Sequence, residues 1–259
     1  MARPYAKDTA ISYVPTDGAI HYPAEDGEPM AASDYHLKLL IWTLQALEAH
    51  FAQIPDVYIS GDILIYYKEG DPRKSISPDV LVCFDINPKL RRTYKAWEEG
   101  KAPDFVMEFS SESTYKKDLN EKMDVYASLE IQEYFLYDAE DKYLPFPLMG
   151  FTLVDGDYVA IPPDDQGGIH SSVLGLDFRL QDGEIRIYDP IANKWVLTRA
   201  ERTEIAEALA EQEATRAQNA ETRAEQETAR AQNAETRAKN AEAEAALLRE
   251  ELTRLKASS

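Results

Sequence analysis

Residues 103–138 read PDFVMEFSSESTYKKDLNEKMDVYASLEIQEYFLYD. From Phe105 to Phe109 every position except Glu108 is apolar. A strand that is apolar on both faces belongs inside a sheet covered on both sides. Glu133–Asp138, EYFLYD, reads as a second strand. Between the two, Leu119, Lys122 and Tyr126 recur at spacings of three and four, which predicts a helix over about 115–129. The resulting strand–helix–strand unit calls for a mixed sheet with a right-handed crossover.

The neighbouring segments extend that sheet. Asp79 opens the apolar run VLVCF at 80–84, another strand. Val57 to Tyr67 reads as a strand broken near Gly61-Asp62, and Glu69-Gly70-Asp71-Pro72 turns the chain. Ser33 is placed to cap a helix reaching about Phe51, with Leu37, Leu40, Ile41, Leu44 and Leu47 along one stripe. Residues 1–32 are Pro-, Gly- and Asp-rich and read as irregular, with a turn at Asp26-Gly27. Arg91 to Lys101 is charged and reads as exposed. Residues 151–188 read as short antiparallel strands, with hairpin turns at Asp155-Gly156 and Asp182-Gly183.

Composition divides the chain. All eleven Gly and all fourteen Pro lie at or before Pro190, and the last aromatic residue is Trp195. The expected organisation is an α/β domain over residues 1–198, long enough to bury a sizeable core, and an Ala/Glu/Arg-rich helical tail over 199–259. The tail repeats: AEQEATRAQNAETR at 210–223 is followed by AEQETARAQNAETR at 224–237. Fourteen residues are two heptads. Ala residues from Ala210 to Ala245 continue into Leu248, Leu252 and Leu255 on a three–four seam, which Glu213 and Glu227 interrupt. Two readings fit, a coiled coil and a lone solvated helix.

The whole chain carries 28 Lys and Arg against 47 Asp and Glu. From Arg199 onward there are ten and thirteen, which leaves 18 and 34, or −16, on the first part. Such a balance is poor footing for general nucleic-acid affinity, which comes from neutralising phosphates; a local patch or a metal-bridged contact is still open to it. The lone Cys83 forms no intrachain disulfide and suits a reducing compartment. No run approaches the about 18 apolar residues of a membrane span, and MARPYAKDTA lacks a signal-peptide core, so the expected location is cytoplasmic.

Phosphate loops, nucleophile elbows and CxxC pairs are absent from the sequence, and His21, His36, His50 and His170 show no metal-ligand spacing. His36 reads as a partly buried structural histidine on the first helix. The chemistry therefore falls to Asp79, Glu108 and Lys122. A carboxylate inside an apolar strand is costly unless it is paired or binds a cation. Two acids on adjacent strands suit a hard ion such as Mg²⁺. Lys122 shares the apolar stripe of the helix, and Asp118 lies one turn before it. This trio suits metal-assisted hydrolysis, in which the metal polarises a phosphate and the lysine steadies or deprotonates the attacking water. A buried Glu108–Lys122 salt bridge fixing helix to sheet fits the same residues.

SPDVLVCF at 77–84, APDFVMEFSSEST at 102–114 and KKDLNEKMDVYASLEIQEYFLYD at 116–138 resemble the bacterial putative restriction endonuclease family within the PD-(D/E)XK nuclease superfamily. DGEPMAASDYH, VYISGDILIYY, RRTYKAWEEGKAPD, VLGLDFRL and the tail extend the resemblance over nearly the whole chain. It implies a restriction-endonuclease-like mixed sheet flanked by helices, and Mg²⁺- or Mn²⁺-dependent cleavage of phosphodiester bonds. Asp79 takes the place of the motif's Asp and Glu108 that of its second acid. The superfamily pattern has Lys two residues after that acid. Ser110 stands there in this chain, and the resemblance moves the lysine to the following helix, as Lys122. Glu28 corresponds to the family's early Glu. The function so implied is a DNA endonuclease working as an oligomer, with the C-terminal helix joining two copies. The alternative is a nuclease-like fold kept as an interaction module that oligomerises through its tail.

Overall fold

The computed structural model describes residues 20–25 and 33–257. The chain divides into two units, Met1–Arg199 and Ala200–Ser259.

In the first unit, α1 (Asp34–His50) leads into β1 (Val57–Ser60), β2 (Ile65–Tyr66), β3 (Ser75–Ile76) and β4 (Val80–Phe84). β5 (Tyr94–Lys95), the single turn α2 (Ala96–Glu99) and β6 (Phe105–Phe109) follow. α3 (Tyr115–Asp118) and α4 (Glu121–Ser128) carry the chain over to β7 (Glu133–Tyr137). β8 (Leu148–Val154), β9 (Asp157–Ala160), β10 (Ile169–Ser171), β11 (Leu176–Gln181), β12 (Glu184–Asp189) and β13 (Lys194–Trp195) complete the unit.

The main sheet runs β1-β4-β6-β7-β8-β9. It is mixed: β6 and β7 pair parallel, Phe105 opposite Glu133, and the other pairs are antiparallel. Parallel neighbours need a crossover, and α3 and α4 provide it. α1 covers one face with Leu39, Leu40 and Leu47, joined there by Leu176, Phe178 and Ile187 from the sheet β10-β11-β12-β13. The other face buries Leu81, Val106, Tyr134 and Leu136 beneath Tyr126 of α4 and Ile65 of β2. Both central strands are therefore covered twice, as their apolar runs require. The expected hairpins form at Asp155-Gly156 and Asp182-Gly183, where all four residues have positive φ of 52–93°, the geometry of a type I′ turn.

Two expectations need correction, and a third, borne out in its break near Gly61-Asp62, is sharpened. The helix foreseen over 115–129 is two, divided at Leu119-Asn120. Asn120 leaves helical geometry (φ −132°, ψ −84°), and its amide donates to the Lys116 carbonyl at 2.7 Å. That side chain closes α3 in place of a continuing backbone. Second, 91–101 is not uniformly exposed. The Arg91 guanidinium lies 4.1 Å from the Tyr58 ring centre and forks onto Glu99 with two 2.8 Å bonds, while Tyr94 is fully buried. Third, 57–67 contributes to two sheets, since β2 leaves the main sheet for a small one ordered β3-β2-β5.

The second unit is one helix, α5 (Arg199–Ala257), with every side chain from Arg202 to Arg254 exposed. Glu28, the turn at Asp26-Gly27 and the side chain of Leu255 lie outside the described residues. Among the described residues no helix is long and apolar enough to cross a membrane.

Candidate active site

The antiparallel register of β4 on β6 puts Val80 opposite Met107. One step outward, Asp79 meets Glu108 at the end of the sheet. The Phe109 N–H donates to Asp79 Oδ2 at 2.6 Å, and the Asp79 N–H reaches Glu108 Oε2 at 3.4 Å. The chain closes tightly behind Asp79: a Cβ on Gly61 would collide with the Asp79 carbonyl oxygen. The other Pro-Asp pair, Pro103-Asp104, stands at the opposite end of β6, where Asp104 binds Lys101 at 2.8 Å.

α4 brings Lys122 and Tyr126 onto Glu108 because residues four apart share a helix face. Lys122 Nζ lies 2.8 Å from Glu108 Oε2, and the Tyr126 hydroxyl donates to Glu108 Oε1 at 2.6 Å. Lys122 Nζ is also 3.4 Å from Asp118 Oδ1, an atom that accepts no hydrogen bond from the described residues. Ser110, in the position of the superfamily's lysine, donates its hydroxyl to Asp118 Oδ2 at 2.9 Å. From the other side of the sheet, α1 contributes His36. Ser33 caps the helix on the His36 N–H at 3.1 Å, and His36 Nε2 lies 3.0 Å from Asp79 Oδ1.

Asp79, Glu108, Lys122, Ser110 and Asp118 thus converge, and His36 joins them. Along the sequence His36 reads as structural, since its contact with Asp79 spans 43 residues. The available signal was its place one turn before buried Leu40 on α1. Along the sequence Tyr126 is only part of the apolar stripe; in the fold the residue is fully buried and its hydroxyl needs a partner.

The cluster holds three carboxyls against one ammonium and one imidazole. Burial pushes the Glu108 carboxyl up to about 8; the Lys122 cation opposes this, and Asp79 and Asp118 add to it. Burial likewise raises Asp118. Asp79 goes the other way: burial would raise it, but the hydrogen bond and charge of His36, then Lys122 and the Phe109 N–H, hold it below the usual carboxylate range. Burial also works against the Lys122 and His36 cations, yet the surrounding acids raise both. Lys122 therefore keeps its proton at neutral pH.

The Glu108–Lys122 pair is formed, but it is not sealed. The Glu108 side chain is 2% exposed, whereas Lys122, Asp79 and His36 reach solvent at 21%, 16% and 11%. Among the described residues no three His, Cys, Asp or Glu side chains make a ready cation cage. Mg²⁺ does not require one, because it retains waters and binds through one or two carboxylates plus substrate phosphate. Hard oxygen donors on adjacent strand ends, a buried Asp118 oxygen held only by the 3.4 Å ion pair with Lys122, and an excess of acid fit such an ion.

Residues 11–207 match the model of the Uma2 family, described as putative restriction endonuclease. The chain belongs to this family. Membership supports a nuclease role, and the residues matched span the whole cluster from His36 to Tyr126. None of the curated proteins matches the chain. Among solved structures, a putative nuclease belonging to DUF820 from Anabaena variabilis ATCC 29413 is similar, with 11% identity over 55% of this chain and 74% of that one, at a TM-score of 0.41.

Proposed function

We propose that this Uma2 chain is a metal-dependent endonuclease that hydrolyses phosphodiester bonds in DNA, using Mg²⁺ or Mn²⁺. One observation carries the reading: Asp79, Glu108 and Lys122 meet at a solvent-reaching sheet end where acid exceeds base. Asp79 and Glu108 would hold the ion. His36 Nε2 and the Phe109 N–H orient the Asp79 carboxylate, and the Tyr126 hydroxyl orients that of Glu108. An ion held there would supply polarisation of the scissile phosphate and acidification of water. Lys122, held protonated, acts as a donor that steadies the attacking water or the developing phosphate charge rather than as a base. Cleavage of both strands needs two such sites, so two copies joined through the tail complete the reading.

Plasmid nicking with Mg²⁺ or Mn²⁺, comparing the wild type with Glu108→Ala, tests it. Metal-dependent nicking by the wild type alone is expected, and equal nicking by both proteins rejects the assignment.

A second reading, an interaction module on a nuclease-like fold, is favoured by the 2.8 Å Glu108–Lys122 pair and by Ser110 in the lysine position. Calorimetric Mg²⁺ binding that disappears in Asp79→Ala counts against it.

A further inference from the structure

We infer that α5 pairs with the α5 of a second copy, parallel and in register; this deepens the two-copy part of the proposed function. Leu247, Leu248 and Leu252 are 56–68% exposed among the described residues. What specifies the partner is the charge beside the seam. With Ala210, Ala217, Ala224, Ala231, Ala238, Ala245 and Leu252 as the first heptad position, the residues just before Ala217, Ala224, Ala231 and Ala238 are Arg216, Arg223, Arg230 and Arg237. Each is followed five residues later by Glu221, Thr228, Glu235 and Glu242 in turn.

Five residues is the wrong spacing for a pair within one helix, where neighbours lie three or four apart. It is the spacing that brings the flanking g position of one helix to the e position of a parallel partner, where interhelical ion pairs set choice and orientation. The next heptad reverses both signs together, Glu244 with Arg249. Arg216–Glu221, Arg230–Glu235, Arg237–Glu242 and Glu244–Arg249 are therefore all attractive between copies, and Arg223 meets a neutral threonine. Glu235 also binds Lys239 of its own helix at 2.8 Å, which leaves its second oxygen for the partner's arginine. An antiparallel pair sets g against g and e against e. In the middle of the repeat that opposes arginine to arginine or glutamate to glutamate. Glu213 and Glu227 interrupt the seam, so the pairing rests on the unbroken run from Ala231 to Leu252.

Disulfide trapping in the full chain tests orientation, because Cys83 is fully buried and an introduced thiol is the reactive one. Ala231→Cys and Ala245→Cys should each link to itself under mild oxidation. Linkage only in a mixture of the two overturns the parallel register. Sedimentation should give twice the 29.3 kDa chain mass for the wild type. Arg230→Glu with Arg237→Glu should halve it, and adding Glu235→Arg with Glu242→Arg should restore it. A wild-type monomer at the concentration of the nicking assay overturns the proposal, even where cleavage depends on Glu108. A dimer without cleavage leaves the pairing standing and rejects the nuclease reading.

Discussion

β6 and β7 run side by side, and each buries a glutamate at 1% exposure. Glu133 points to the α1 face at the start of its strand. Its carboxylate accepts the Ser171 hydroxyl and the N–H groups of Ser172 and Val173. Glu108 points to the α4 face at the end of its strand and meets Lys122, Tyr126, Asp79 and, through the lysine, Asp118. Burial raises the pKa of both. The difference lies in what answers the burial. Neutral donors from the end of β10 and the turn after it satisfy Glu133 and fasten β10 to the sheet. Around Glu108 the neighbours are themselves ionic, and the acids outnumber the cations. A buried carboxylate satisfied by backbone is architecture; one crowded by other carboxylates is a place that wants a further cation.

The contrast breaks most visibly in catalysis. Glu108→Ala should reduce Mg²⁺-dependent nicking by about 10³-fold, the several kcal/mol of charge stabilisation a bound metal supplies, whereas Glu133→Ala should leave the rate per folded molecule unchanged. A cleavage loss in Glu133→Ala equal to that in Glu108→Ala would erase the distinction. Next in size, His36→Ala should weaken Mg²⁺ binding by about 10–100-fold, the usual cost of losing a group that orients a metal ligand; calorimetry on protein shown folded by circular dichroism reads this. In stability the order reverses. Glu133→Ala should cost about 1–3 kcal/mol in urea unfolding, because it strands the buried Ser171 hydroxyl and frees the N–H groups of Ser172 and Val173.

The smallest effect is a slope with pH. The metal-free native state holds a proton on Glu108 up to about pH 8, while the unfolded chain releases it near its ordinary value of about 4.3. Stability contributed by that proton is full below the unfolded value and is lost as pH rises towards 8. Urea midpoints should therefore fall across this range, and Glu108→Gln should flatten the decline. Asp138 sharpens the comparison with the opposite sign. Four backbone N–H groups, from Glu140, Lys142, Tyr143 and Leu144, outweigh burial and lower its pKa. Its contribution is present above about pH 3.9 and lost on further acidification, so Asp138→Asn should lessen the acid sensitivity alone.

The strands and hairpins were legible because their signals are local: two-sided apolar runs for β4, β6 and β7, and Asp-Gly at the turns. The crossover was legible from the order of those signals. The break at Asn120 was not, because it depends on whether one amide side chain prefers the Lys116 carbonyl to solvent. Nor was the burial of Arg91, which rests on Tyr58 and Glu99 from separate segments. The two-residue strands β2, β3 and β5 are too short to carry a period. At the site, Asp79, Glu108 and Lys122 stood out as charges in apolar surroundings. His36 did not, since nothing along α1 says which strand end its imidazole will meet.

The broken crossover helix has a consequence for how such a centre can be adjusted. A lysine carried on a strand moves only with the ladder that holds it. Here the ammonium rides on eight residues that begin at the break at Leu119-Asn120, while Glu108 lies within β6 and Asp79 directly before β4. Substitutions at that joint would shift Lys122 and Tyr126 together against Glu108, so in the proposed function the placement of the cation and the aim of the carboxylate it faces would change as a pair.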